Sequence, residues 1–394
     1  MPRQDALTDS IPRAVADSPR RLFRTSAMAV ILIRADASPT IGTGHVMRCL
    51  AVAEVLRDQG HETLFAAVES TPAIDRRLSA DGFRHVSIAG PVGEAADLAA
   101  TRSLLRREHG SAVMLDGYRF GEAYRAGLQA AGARVLAWDD LGDGTPLHAD
   151  LVVNAAPQAA ALPYEAMAPG ALLLLGPGYA PLRREVRLAA REPMRSIAER
   201  PVLLVTFGGS DPLGLTGPVV KALAAARPDG CRIVAVVGGS NPRAAELAAL
   251  ADGLGPDVAV EIDSPRMGAL MADSGLAVSA GGGTMGELAA LAVPTLLVVT
   301  ADNQAMASSD AAELGWSEAV DARGSDPASA GKTISERALA LWTDVPRRQR
   351  MQDAAAALPL DGEGAVRIAH ALTGRAPSLS PMAGSAARRR TAPA

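Results

Sequence analysis

The chain has little cysteine and almost no lysine. Its 394 residues hold 2 cysteines, Cys49 and Cys231, each inside an apolar stretch and without Cys-x-x-Cys or Cys/His spacing. That excludes a disulfide framework and a regularly spaced zinc site, and leaves two reduced, buried thiols. Lysine occurs only at Lys221 and Lys332, so arginine carries nearly all the positive charge, a mark of GC-rich bacterial coding rather than of function. A basic excess is missing too. The formal net charge is -4, with 21% charged and 48% hydrophobic residues, the balance of an ordinary globular protein, so no nucleic-acid partner is expected. Apolar runs such as 202–207 and 294–300 are far shorter than the ~20 residues that span a bilayer. They read as buried strands of a cytoplasmic protein with no membrane partner.

The ends lack folding material. Residues 1–27 mix Arg20, Arg21 and Arg24 with Asp5, Asp9 and Asp17 and have no apolar core of the kind a secretory signal needs. They read as a disordered extension, with Met28 a candidate start. Residues 373–394 are small, polar and Pro-rich and close on Arg388, Arg389 and Arg390; a solvated tail is expected.

What remains is long enough for two domains. From 28 to 180, short aliphatic runs (29–34, 63–67, 112–116, 134–138, 151–154) alternate with helix-length segments such as 45–59, the pattern of parallel strands crossed by helices. Residues 181–200 are rich in Arg and Glu with weak periodicity and read as a linker. The alternation resumes over 201–345, with strands at 202–207, 232–237, 258–262, 276–278 and 295–299. Helices around 338–342 and 365–372 follow, the last stretch (346–372) being expected to cross back to the first domain. The predicted class is α/β, two Rossmann-like domains facing each other across a cleft.

Three glycine turns stand at strand ends, where α/β folds bind ligands. The first, Asp36 to Gly42-Thr43-Gly44-His45, opens a helix and offers free backbone N–H groups to an anion. Met47 stands where a dinucleotide fingerprint needs its third glycine, which argues against a Rossmann cofactor. His45 falls in the first helical turn, where it suits a general base; a histidine that only caps its helix is the plainer alternative. The second turn is Phe207-Gly208-Gly209-Ser210-Asp211, whose glycines let amides approach a phosphate, although a plain loop explains a Gly-Gly pair equally well. The third runs Gly281-Gly282-Gly283-Thr284 to Glu287, between a strand and a helix. Its amides and Thr284 suit a diphosphate, and Glu287 suits ribose hydroxyls or a simple helix-start charge. Gly331-Lys332-Thr333 imitates the end of a Walker loop, but Asp326 occupies that motif's first glycine position and no strand precedes it.

Together, Arg34-Ala-Asp36 with Ile41-Gly-Thr-Gly-His45-Val-Met47-Arg48-Cys49-Leu50, Leu115-Asp116-Gly-Tyr118, Trp138-Asp139-Asp140, Leu175-Gly-Pro-Gly-Tyr179 with Leu182-Arg183, Thr206 to Asp211, Ala280 to Glu287 and Asp302-Asn303-Gln304 resemble the PseG family over residues 28–315. The resemblance implies a GT-B architecture. It also implies hydrolysis of UDP-2,4-diacetamido-2,4,6-trideoxy-β-L-altropyranose, in pseudaminic acid biosynthesis for flagellin glycosylation. Carried over, His45 is the base that activates water, and Tyr118 and Asn303 place the sugar or the water. Asp36 lies near the sugar and orients His45 or contacts a hydroxyl. Gly42, Gly44, Arg48 and Gln304 line the substrate, while Gly208, Gly209, Ser210, Gly282, Gly283, Thr284 and Glu287 hold UDP. Water attacks the anomeric carbon with inversion; no metal and no cofactor are required, and the only partner is the UDP-sugar, bound by a monomer. Gly117 stands where the family has serine and Met285 where an aromatic is common, so the hexose stays open. A GT-B glycosyltransferase would use the same donor turns, and a catalytically silent UDP-sugar binding protein would need no His45; the Gly-Thr-Gly-His turn argues against an epimerase.

Overall fold

The computed structural model describes residues 30–38 and 40–374. The readings made for 1–27, for Met28 as a start, and for the tail beyond 374 lie outside the described residues. A first sheet holds β1 (Val30–Ala35), β2 (Glu62–Ala67), β3 (Arg84–Ser87), β4 (Ala112–Asp116), β5 (Arg134–Trp138), β6 (Leu151–Asn154) and β7 (Leu172–Leu175), in the order β3-β2-β1-β4-β5-β6-β7. A second holds β8 (Val202–Thr206), β9 (Arg232–Val237), β10 (Val258–Ile262), β11 (Ser274–Ala280), β12 (Thr295–Val299) and β13 (Ser317–Asp321), in the order β10-β9-β8-β11-β12-β13. Every pairing is parallel. Central strands such as Ala-Val-Met-Leu-Asp of β4 and Val-Leu-Leu-Val-Thr of β8 are buried along their whole length, as helices on both faces of a parallel sheet require.

The expected two-domain α/β architecture is the one observed. Three strands absent from the sequence reading, β3, β7 and β13, are all edge strands. An edge strand is not enclosed as a central one is, so it need not be apolar throughout: Arg-His-Val-Ser in β3 and Ser-Glu-Ala-Val-Asp in β13 show no clear hydrophobic run.

Strand order reverses beside β1 in one sheet and beside β8 in the other, and these are the switch points where such sheets open a crevice. The two sets of strand ends face one another. The turn after β1 meets the turn after β8, where a Cβ on Gly209 would lie 2.6 Å from Thr43 Oγ1. The loops after β2 and β9 are joined by Thr71 and Ser240, whose hydroxyls are 3.0 Å apart. The chain crosses between domains twice. Helix Gly364–Thr373 packs on helix Gly44–Asp58, burying Ala365, Ile368, Ala369 and Leu372 in the same cluster as Val46, Leu50 and Ala53. The crossings touch so closely that a Cβ on Gly364 would sit 2.2 Å from the Ala180 carbonyl oxygen. Among the described residues no helix is long and apolar enough to cross a membrane.

Candidate active site

His45 is the second residue of helix Gly44–Asp58 and is 8% exposed. Its Nδ1 lies 2.7 Å from Asp116 Oδ1, at the C-terminal end of the neighbouring strand β4. A second neighbour, Arg48 Nη2, is 3.4 Å from the same nitrogen. Only one arrangement is favourable: a guanidinium can only donate and a carboxylate can only accept, and the carboxylate contact is much the shorter. Nδ1 therefore carries the hydrogen and donates to Asp116, which leaves Nε2 as the acceptor nitrogen.

Arg48, one helical turn on, holds that carboxylate. Its Nε donates to Asp116 Oδ2 at 2.6 Å and its Nη2 to Oδ1 at 2.7 Å, while Nη1 and Nη2 reach Asp140 Oδ1 and Oδ2 at 2.9 and 3.0 Å. The guanidinium also lies 4.7 Å from the centre of the Trp138 ring. Burial would push the Asp116 carboxyl up, but the Arg48 charge and hydrogen bonds, with His45, overcome it and hold the group well below its ordinary range. Arg48 was expected to line the substrate. Four of its five N–H donors are taken by two aspartates, so it braces the His45–Asp116 pair with one N–H left over.

Tyr118, two residues beyond Asp116, stands edge-on to the imidazole at 5.0 Å between ring centres, and its hydroxyl donates to Asp140 Oδ2 at 3.1 Å. Asn303, in the turn after β12, lies near the same hydroxyl. Residues 185 positions apart in sequence thus meet across the domain boundary. Tyr118 stays half exposed; partial desolvation and the Asp140 carboxylate push the phenol up to about 12, which keeps the hydroxyl neutral. Cys49 Sγ is 3.6 Å from Asp116 Oδ2; burial first, then that carboxylate, push the thiol up and leave it inert.

Asp36 is not the partner of His45. At 4% exposure it takes Arg34 Nη1 at 2.6 Å and the backbone N–H groups of Val68 and Glu69 at 2.8 and 2.9 Å. It pins the end of β2 to the end of β1, while Asp116 supplies the orienting carboxylate. The loop it introduces is closed by Gly42, whose N–H donates to Ser38 O at 2.8 Å and whose φ of +79° suits glycine.

In the second domain the turns present backbone. Gly208 is exposed with φ +78°, and a Cβ on Gly282 or Gly283 would meet nothing within 4 Å. Gly281, by contrast, is packed on Ser308, whose Oγ would lie 2.2 Å from an added Cβ. The exposed glycines leave amides that a phosphate can approach closely. Thr284 begins helix Thr284–Ala290, and Glu287 sits buried in its first turn. The Glu287 carboxylate is gripped by Arg183, whose Nε donates at 2.7 Å. Gln304, expected against the substrate, uses its Oε1 to accept from Thr300 N and Thr300 Oγ1 at 2.9 and 3.0 Å. It shapes the turn that carries Asn303.

Asp116 and Asp140 stand in two of the segments that carry the PseG resemblance without having been assigned a role. The signal was an acid at a strand end beside the switch point.

The architecture is GT-B. The chain is similar to the solved structure of Acinetobacter baumannii MurG, at 17% identity and a TM-score of 0.53 over 88% of this chain and 99% of that one. Phytolacca americana UGT2 complexed with UDP-2fluoro-glucose and pterostilbene is similar at 14% identity and TM-score 0.59, over 88% and 99%. Staphylococcus aureus MnaA with UDP gives 13% and 0.57, over 86% and 95%. At these identities the likeness is one of fold. No family model matches. An uncharacterized protein of Methanocaldococcus jannaschii is 24% identical over 274 residues, 68% of this chain, and the chain spans about half (55%) of that relative's length.

Proposed function

We propose that the protein is a GT-B enzyme that acts on a UDP-sugar, and that it hydrolyses UDP-2,4-diacetamido-2,4,6-trideoxy-β-L-altropyranose by direct attack of water. The observation that carries the reading is the buried His45–Asp116 bond of 2.7 Å, which commits one imidazole nitrogen and leaves the other as a base beside the second domain's open glycine turns.

The chemistry follows from the division between domains. Amides of Gly208 to Ser210 and Gly282 to Thr284 hold the diphosphate and stabilise the charge that grows on it as the bond to the anomeric carbon breaks. His45 Nε2 takes a proton from a water, whose oxygen attacks the anomeric carbon opposite the leaving diphosphate, so the sugar is released inverted and the bonding pair departs with UDP. Asp116 stabilises the imidazolium that forms, as a carboxylate does behind a catalytic histidine. Tyr118 and Asn303, which approach one another from the two domains, fix the sugar or the water. UDP leaves more readily than a sugar alcohol, so a second carboxylic acid is not needed.

The test is proton NMR of the purified protein with that donor, in the wild type and in His45→Asn. UDP and an inverted free sugar should appear, and the variant should be slower by about 10²–10⁴. Equal rates would remove His45 from the mechanism. The similarity to glycosyltransferases keeps one other reading in view: UDP release that depends on an added acceptor alcohol would assign a transferase. UDP binding without turnover would assign a binding protein.

A further inference from the structure

The segment that first crosses between the domains carries two consecutive arginines, and they reach in opposite directions. Tyr179 packs on the first-domain cluster, and Leu182 is buried in a second-domain cluster with Leu288 of helix Thr284–Ala290, so the boundary falls between them. Arg183 turns toward the second domain. Its Nε and Nη2 grip the two oxygens of Glu287, and its backbone N–H adds a longer contact of 3.4 Å. Arg184 turns toward the first. Its backbone N–H donates to Glu54 Oε2 at 3.1 Å and its Nη1 to Asp58 Oδ1 at 3.2 Å. Both acids belong to helix Gly44–Asp58, which carries His45 at its other end.

Glu287 is 6% exposed, and a buried carboxylate needs a partner to remain ionised. The two-pronged grip of an arginine fixes both oxygens in one plane and still leaves a lone pair on Oε2, which accepts from Arg183 Nη2 alone. Helix Arg184–Ala189 is in turn wedged against helix Met267–Ala272, where a Cβ on Gly268 would lie 2.4 Å from Glu185 O. The crossing is therefore a stiff strap rather than a slack linker.

We propose that Arg183 is a positioning residue that presents Glu287 to the ribose of the bound nucleotide, and that Arg183 and Arg184 together tie occupancy of that site to the pose of the helix bearing His45. The proposal rests on the UDP reading above. It adds a physical route between the two half-sites: movement of Glu287 drags Arg183, and its neighbour Arg184 pulls on Glu54 and Asp58.

The experiment measures UDP binding by calorimetry and hydrogen exchange of residues 44–58 with and without UDP, on full-length protein whose fold is checked by circular dichroism. Arg183→Met should weaken UDP by about tenfold or more, and Arg183→Lys should recover only part, because an ammonium cannot make the two-pronged contact. In the wild type, UDP should slow exchange in 44–58. Glu54→Ala should keep UDP binding within about threefold (under ~0.7 kcal/mol) and lose that slowing. Wild-type protein that does not bind UDP would overturn the nucleotide reading along with this one. If the wild type binds UDP but Arg183→Met binds as tightly, or Glu54→Ala keeps the full slowing, the strap is overturned and the nucleotide reading stands.

Discussion

The two halves of the site are built on opposite plans. Around the first-domain turn, His45, Arg48, Asp116, Asp140 and Tyr118 form a continuous set of side-chain contacts, anchored on a carboxylate with no side-chain exposure. Around the second-domain turns, Gly208, Gly282 and Gly283 are exposed and offer backbone N–H groups. The difference matches two kinds of work. Moving a proton needs one group in one tautomer, which a buried charge network fixes. Holding a diphosphate needs several donors around a diffuse charge and room for close approach, which bare backbone supplies.

The sharpest way to break the comparison is Asp116→Asn. If the first-domain network exists for proton transfer, the variant should lose about 10³–10⁴ in kcat, since an amide no longer holds the productive tautomer. UDP affinity should stay within about twofold, well under the 1.4 kcal/mol of a tenfold change. Rates by UDP release and affinities by calorimetry separate the two. A variant that binds UDP tenfold more weakly would show that the halves are not divided as described.

Asp36→Asn tests the same network from outside. Asp36 joins Arg34 to the loop after β2 and does not reach His45, so the variant should lose about 1–3 kcal/mol of stability through poorer charged hydrogen bonds. Its kcat should match the wild type at a temperature where both are folded. A drop in kcat without a drop in melting temperature would return Asp36 to the chemistry.

On the other side, Gly209→Ala places a Cβ 2.6 Å from Thr43 Oγ1, which forces the two turns apart. UDP affinity should fall by about tenfold, roughly 1.4 kcal/mol. The double variant Gly209→Ala with Thr43→Ala should recover most of it, because the clashing hydroxyl is gone. Failure of the second change to rescue would mean that the glycine is needed for its backbone conformation rather than for the close approach.

The sequence made one of these plans far more legible than the other. Glycine clusters after aliphatic runs mark turns by local chemistry alone, and the β1, β8 and β11 turns fall where that signal places them. Charge pairing leaves no such mark. His45 and Asp116 are 71 positions apart, and Arg48 and Asp140 are 92 apart. Which acid meets which base is decided by strand order, because β4 lies beside β1 and β5 beside β4. Asp36, nearer in sequence, was the natural guess for the orienting acid. The alignment of β1 with β2 spends it on the backbone of Val68 and Glu69 instead. Arg183 was visible as part of a motif, but its hold on Glu287 spans 104 positions and could not be read locally.

The smallest effect concerns acid stability. Asp116 has its folded pKa held below the ordinary 3.8 by Arg48 and His45 against the opposing pull of burial. A carboxyl lowered on folding contributes stability that is fully present above its unfolded value and is lost as pH falls toward its folded value. Urea titrations between about pH 6 and pH 2.5 should therefore show the wild type losing stability below about pH 4 faster than Asp116→Asn, which has no proton to gain at that position. The two curves should stand furthest apart near neutrality and converge with acid. Parallel curves would mean that the Asp116 carboxyl titrates alike in the folded and unfolded chain. The buried charge network that distinguishes the first half-site from the second would then contribute geometry without a pH-dependent share of the fold's stability.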